Sequence, residues 1–219
     1  KGLNLKLMFL SEKIENYVVS HSQNEPQILQ NLTKETWQKV LNPRMISGAY
    51  QGRVLSMISK LIKPKNVLEI GTFTGYSALS IAEGLADEGV IYTIDKNEEL
   101  EELQQKYFNK SAFNKQIKTY SGKALDIIPT IDKKFDLVFI DADKSNYVNY
   151  FHLIINKMNS GGIILSDNVL WYGKVAEKAD DKDIDTLALQ EYNILLNNDL
   201  RIETVMLPIR DGLTISRVK

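Results

Sequence analysis

The chain has 219 residues, 43% of them hydrophobic, which is ample material for one buried core. Lys and Arg number 27 against 28 Asp and Glu, so the net charge of -1 supplies no field that would draw nucleic acid or an acidic membrane. Cysteine is absent, which excludes disulfides, thiolate metal sites and cysteine nucleophiles and agrees with a cytoplasmic setting; no apolar run approaches a membrane span.

Leu3, Leu7, Leu10, Ile14 and Tyr17/Val18 recur at steps of three and four, which predicts an amphipathic N-terminal helix. A second helix is expected over 27–40. Val54, Leu55, Ile58, Leu61 and Ile62 mark a third that stops before Pro64. Strand and helix signals then alternate. Short runs rich in Val, Ile, Leu and aromatics predict strands over 66–70, 90–94, 117–120, 135–140 and 162–166. Helices are expected over 76–86, 98–108, 124–131, 147–158 and 186–197. The chain closes on a predicted hairpin, 203–207 with 213–218, turning through Arg210-Asp211-Gly212. This rhythm predicts an α/β fold: a Rossmann-like doubly wound, mostly parallel sheet with a C-terminal antiparallel hairpin and extra N-terminal helices. No repeat or linker interrupts it. One domain is therefore expected over 1–219, with helices to residue 63 and the sheet core from 64 onward.

The first strand runs into Glu69-Ile70-Gly71-Thr72-Phe73-Thr74-Gly75-Tyr76-Ser77. In a G-x-G-x-x-G turn the second glycine lets the backbone approach a pyrophosphate; counted from Gly71, that place holds the bulky Phe73. A pyrophosphate is disfavoured. S-adenosylmethionine needs no phosphate cradle, because Glu69 and exposed backbone amides can hold its ammonium and carboxylate groups. Asp95, at the end of the second strand, is placed to accept hydrogen bonds from ribose hydroxyls, which NAD and S-adenosylmethionine would both exploit. The plainer reading is that the glycines serve only a tight strand-to-helix turn.

Asp141-Ala142-Asp143-Lys144 follows the fourth strand and Asp167-Asn168 the fifth. Ligands of open α/β sheets gather beyond the carboxyl ends of the strands, so two carboxylates, an amide and an amine could meet there. Oxygen donors without His or Cys favour Mg²⁺, Mn²⁺ or Ca²⁺. A phenol has a pKa of ~10, which a bound divalent cation would lower, and Lys144 could then take the proton. Taken singly, each residue has a plainer reading: Asp141 or Asp143 as a helix cap, Asp167-Asn168 as a turn, Lys144 as a solvated amine. Their joint placement favours chemistry. Tyr147, Trp171 and Tyr172 could wall a planar ring, with a core role equally open to Tyr147. His21 and His152 lack metal-ligand spacing, and the charged run 178–183 reads as a solvated loop.

Taken in order, Glu69 to Ser77, Asp95, Gly122-Lys123-Ala124, Asp141 to Lys144, Asp167-Asn168 and Trp171-Tyr172-Gly173 resemble the cation-dependent O-methyltransferases, in particular their caffeoyl-CoA branch and its bacterial relatives. The resemblance runs from about Met45 to the C-terminus and includes Leu207-Pro208 and Asp211 to Ile215. It implies a methyltransferase sheet in a homodimer acting on a catechol-type small molecule. By matched position it implies Asp141, Asp167 and Asn168 as metal ligands and Lys144 as the catalytic lysine. It likewise implies Met45, Ser47, Glu69, Gly71, Thr72, Ser77, Asp95, Ala124 and Asp143 as the lining of the S-adenosylmethionine pocket. Tyr172 stands where the plant enzymes usually carry Asn, and Asp-Ala-Asp-Lys differs from the Asp-His-Trp-Lys of animal catechol enzymes.

Three other functions compete. A nicotinamide-dependent oxidoreductase is opposed by Phe73. An amino-directed methyltransferase is opposed by the lack of an Asp/Asn-Pro-Pro-Tyr/Phe motif after the fourth strand. A noncatalytic binding protein on the same fold is opposed by the joint presence of base and ligands.

Overall fold

Seven strands, β1 (Asn66–Ile70), β2 (Val90–Asp95), β3 (Ile117–Ser121), β4 (Phe135–Ile140), β5 (Met158–Asp167), β6 (Ile202–Leu207) and β7 (Leu213–Val218), form one sheet in the order β3-β2-β1-β4-β5-β7-β6. They belong to a computed structural model that describes residues 11–219. Strands β1 to β5 pair in parallel, whereas β7 runs antiparallel to both β5 and β6. The expected doubly wound sheet with its closing hairpin is present.

The central strands are apolar on both faces because helices cover both. Val67, Leu137 and Phe139 pack with Leu55 of α3 (Gly48–Ile62) and Ile81 of α4 (Tyr76–Ala82). Their neighbours Leu68, Ile70, Val138 and Ile140 turn to the other face. There they meet Phe151 of α7 (Tyr147–Ile154) and Leu189 of α8 (Ile184–Asn198). The period of two along each strand thus feeds two cores at once. A smaller cluster joins Leu29 and Leu32 of α2 (Gln27–Lys39) to Leu79 and to Tyr107 and Phe108 of α5 (Glu101–Lys110). Helix α1 (Glu12–Ser20) buries none of its residues, and the predicted positions Leu3, Leu7 and Leu10 lie outside the described residues.

Several boundaries differ from expectation; the helix predicted over 124–131, for one, is α6 (Ala124–Ile127) followed by a 3-10 turn. Helix α3 starts at Gly48, a turn and a half before its apolar stripe, since its first residues pack polar side chains inward, Gln51 among them. Helix α4 stops at Ala82 rather than 86: Gly84 passes so close to α3 that a Cβ there would lie 2.2 Å from the Lys60 nitrogen. Helix α7 ends at Ile154, followed by a short 3-10 turn, and β5 begins at Met158, four residues early. Met158 pairs with Phe135 and Ile163 with Leu137, so Asn159-Ser160-Gly161-Gly162 form the irregularity in register between these two pairs.

The chain winds from β1 outward through β2 to β3, then crosses back to β4 and β5. The strand order therefore reverses between β1 and β4, and the crevice beyond their carboxyl ends is where such sheets take ligands.

Candidate active site

Gly71 is the first residue past β1 and has φ +104°. A Cβ there would stand 1.9 Å from the carbonyl oxygen of Asp141, so the ends of β1 and β4 can meet only over a glycine. Gly75, with φ +90°, turns the chain into α4 against the ring of Phe108. Between them Phe73 adopts φ +48°, and its N–H donates to Asp95 Oδ2 at 2.6 Å. Asp95 Oδ1 accepts from the Asn97 N–H at 2.9 Å. The carboxylate that closes β2 thereby fastens the loop, with lone pairs remaining on each oxygen for a further donor.

Glu69 lies fully buried within β1. One oxygen accepts from the Thr93 hydroxyl, which is also 2.6 Å from Thr72 Oγ1; the other, Oε1, has no well-formed hydrogen bond. Burial pushes this carboxyl up to about 8, against the Ser77 and Thr93 hydroxyls and helped by the charges of Asp141 and Asp95. A neutral, under-bonded carboxyl at pH 7 suits a cationic group that would restore its charge. Thr72 and Ser77 are buried beside it in the loop. Ala124 is buried where the chain leaves β3, just after Gly122, whose N–H donates to the Asp95 carbonyl at 2.8 Å. Ser47 is buried at the head of α3, whereas Met45 is 61% exposed.

Beyond β4 and β5 the predicted oxygens converge on one amine. Lys144, only 6% exposed, donates from Nζ to Tyr147 Oη at 2.7 Å, Asn168 Oδ1 at 3.0 Å and Asp141 Oδ1 at 3.2 Å. Asp167 is buried next to this group; its Oδ2 accepts from Gln51 Nε2 at 2.7 Å and its Oδ1 has no partner. Burial raises the Asp167 carboxyl above the usual carboxylate range, with the charge of Asp141 adding and Lys144, Gln51 and Arg210 opposing. Asn168 has φ +58°, a conformation Asn tolerates better than most residues. The turn sets its side chain toward Lys144.

The donor set fits a hard cation. Among the described residues no group of three or more His, Cys, Asp or Glu could hold a metal, so any site here must count the Asn168 amide with Asp141 and Asp167. The ammonium of Lys144 already bridges two of these oxygens, and the unpartnered Asp167 Oδ1 offers a third. Two carboxylates and an amide suit Mg²⁺, Mn²⁺ or Ca²⁺, with water completing the shell.

Three predicted residues sit differently from one another. Tyr147 is fully buried with its ring against Tyr192, so it is a core residue and not a wall; its hydroxyl donates to the Asp167 carbonyl at 2.8 Å. Trp171 faces Lys144, its ring centre 5.9 Å from Nζ, and Tyr172 is 52% exposed beside it. Both have left-handed backbones, φ +45° and +58°, a conformation that clusters where a site over-determines its loop. Asp143 is engaged by Tyr150 Oη at 2.6 Å and by the Asn146 amide; these hydrogen bonds outweigh burial and lower its carboxyl below the usual range. Sequence reading missed Gln51, placed Arg210 only in the hairpin turn, and named Asp211 in that turn and in the family resemblance without giving it a role. Asp211 is buried and accepts the Tyr172 N–H at 2.6 Å. A buried Gln in the first turn of α3 leaves no mark on a hydrophobic pattern.

The family model for O-methyltransferases matches residues 19–219. A caffeoyl-CoA O-methyltransferase of Populus kitakamiensis is 36% identical over 98% of this chain and 97% of its own length. The caffeoyl-CoA O-methyltransferase of Petroselinum crispum is also 36% identical, over 97% of this chain and 93% of its own. Among solved structures, an SAH-bound methyltransferase of Podospora anserina superposes with a TM-score of 0.85 at 28% identity, covering 96% of this chain and 97% of that one. The O-methyltransferase of Bacillus cereus in complex with SAH gives 0.87 at 25% identity, covering 94% and 97%. With the family model matching residues 19–219 and a relative 36% identical over nearly the whole chain, this protein belongs to the O-methyltransferase family.

Proposed function

We propose that this enzyme transfers a methyl group from S-adenosylmethionine to one hydroxyl of a catechol-type vicinal diphenol, with a divalent cation, Mg²⁺ foremost, held by Asp141, Asp167 and Asn168. The observation that carries the reading is the convergence of Asp141, Asn168 and Tyr147 oxygens on the buried Lys144 amine, next to an unpartnered Asp167 oxygen. The SAH-bound structural relatives support the cofactor. In this scheme Glu69 takes the cofactor's ammonium, Asp95 its ribose, and Gly71, Thr72, Ser77, Ala124, Ser47 and Met45 line the pocket. Asp143 braces the turn that carries Lys144. When bound, the cation would lower a phenol's pKa of ~10 and orient the two vicinal oxygens.

The protein's own groups do the rest. With Asp141 and Asn168 given over to a cation, Lys144 would lose two of the oxygens it now bridges. The lysine would then lose a proton to solvent and, as the neutral amine, accept the proton of the reacting hydroxyl as that oxygen forms a bond to the methyl carbon. The carbon–sulfur bond breaks with its electron pair, leaving S-adenosylhomocysteine. Trp171 and Tyr172 hold the ring plane, which fixes the oxygen in line with the methyl group and makes the encounter nearly unimolecular. Among the described residues no helix is long and apolar enough to cross a membrane. A single catalytic domain, a homodimer and a cytoplasmic setting complete the proposal.

Mass spectrometry of products from a panel of vicinal diphenols, monophenols and amines tests it. Monomethyl ethers are expected from the diphenols alone. Equal transfer to monophenols would remove the paired-oxygen requirement, and transfer to amines would remove the acceptor class.

A further inference from the structure

Two polar side chains that take no part in this chemistry are packed between its two halves. Gln51, on α3, is 1% exposed; its Nε2 donates to Asp167 Oδ2 at 2.7 Å, and its Oε1 accepts from Arg210 Nη1 at 2.7 Å. A carboxylate at one end and a guanidinium at the other leave the amide a single workable orientation. Arg210 also donates to the backbone carbonyl of Ser47, at the head of the same helix. Its own backbone is left-handed, φ +50°, in the turn between β6 and β7. That turn is fastened to the segment beyond Asn168: the Leu170 N–H donates to the Asp211 carbonyl at 2.9 Å, and a Cβ on Gly212 would lie 2.6 Å from the Leu170 side chain.

We propose that Arg210 and Gln51 form a positioning relay that aims Asp167 and couples the cation site to the cofactor site. The relay rests on the cation-dependent reading above. Gln51 occupies Asp167 Oδ2, so the carboxylate cannot swing and Oδ1 is left as its free acceptor. Partners that orient a ligating carboxylate in this way tune metal affinity. Through the Ser47 carbonyl, the same guanidinium restrains the segment proposed to line the cofactor. Occupancy on either side then restrains Arg210 on behalf of the other, and the coupling must be reciprocal.

The test is Mn²⁺ binding followed by electron paramagnetic resonance of the free ion, with and without S-adenosylhomocysteine, which permits no turnover. The unaltered protein should bind Mn²⁺ more tightly when S-adenosylhomocysteine is present. Arg210→Ala and the nearly isosteric Gln51→Met should each weaken Mn²⁺ binding by ~10-fold or more and abolish that tightening. Thermal unfolding followed by circular dichroism identifies which variants fold, and either one suffices. Arg210→Lys, which keeps a donor for Gln51, should recover part of both effects. Native affinity in the folded variants, or weakened affinity with the tightening intact, would overturn the relay. Absence of Mn²⁺ binding in the unaltered protein would instead overturn the cation reading, and the relay with it.

Discussion

The two halves of the crevice are built on opposite plans. On the proposed cofactor side, between β1 and β2, position is set by backbone: Gly71 and Gly75 turn where no side chain fits, and Asp95 turns one oxygen to the N–H of Phe73 and the other to that of Asn97. On the proposed acceptor side, beyond β4 and β5, position is set by side chains gathered around Lys144, with one Asp167 oxygen unmatched. A cofactor of constant shape suits a rigid backbone mould. A step in which a proton moves needs groups whose charge can change. The halves touch where the Asp141 carbonyl faces Gly71.

Lys144 is where this division of labour can be broken most severely. Replacement by Ala should lower turnover by ~10²- to 10⁴-fold while leaving cofactor affinity unchanged in calorimetry, since the amine belongs to the acceptor half alone. A parallel loss of cofactor binding would merge the two halves. Gly71→Ala attacks their joint. With a left-handed φ and a carbonyl 1.9 Å from the new Cβ, it should cost ~3 kcal/mol or more in denaturant unfolding and lower both cofactor binding and methyl transfer. Tyr147→Phe is gentler. It deprives Lys144 and the Asp167 carbonyl of one partner each, which should cost ~1–3 kcal/mol of stability and slow turnover with little change in cofactor affinity.

Much of this architecture is legible in the sequence. Strands β1 and β4 begin and end at the predicted residues, because a strand covered on both faces is a continuous apolar run with sharp polar ends. Lys144, Asp141 and Asn168 do come together, because two neighbouring parallel strands deliver the residues just past their carboxyl ends to the same edge. The other parts depend on contacts between segments distant in sequence. Gln51 reaches Asp167 across 116 positions and Arg210 reaches Gln51 across 159, one from a helix's first turn and the other from a hairpin turn. Neither has a local signature. Tyr147 could be wall or core until the packing of α7 against α8 enclosed its ring against Tyr192.

The smallest expected effect belongs to the cofactor half. Burial raises Glu69 to about 8, which favours the neutral carboxyl in the free protein at pH 7. An ammonium group beside it favours the ionised form, so binding of S-adenosylmethionine at pH 7 should release up to about one proton and should tighten as pH rises toward 8. Calorimetry in buffers of different ionisation enthalpy reads this directly, and Glu69→Gln should abolish it. Proton uptake, or no proton change, would take the ammonium away from Glu69.

Cation-dependent methyl transfer is tested most directly by following labelled methyl from S-adenosylmethionine to a vicinal diphenol, first with Mg²⁺ and then with excess chelator. Transfer should be present with Mg²⁺, vanish with chelator and return when Mg²⁺ is restored. Undiminished transfer in chelator would show that Asp141, Asp167 and Asn168 serve the reaction without a cation, and would contradict the proposed mechanism at its centre.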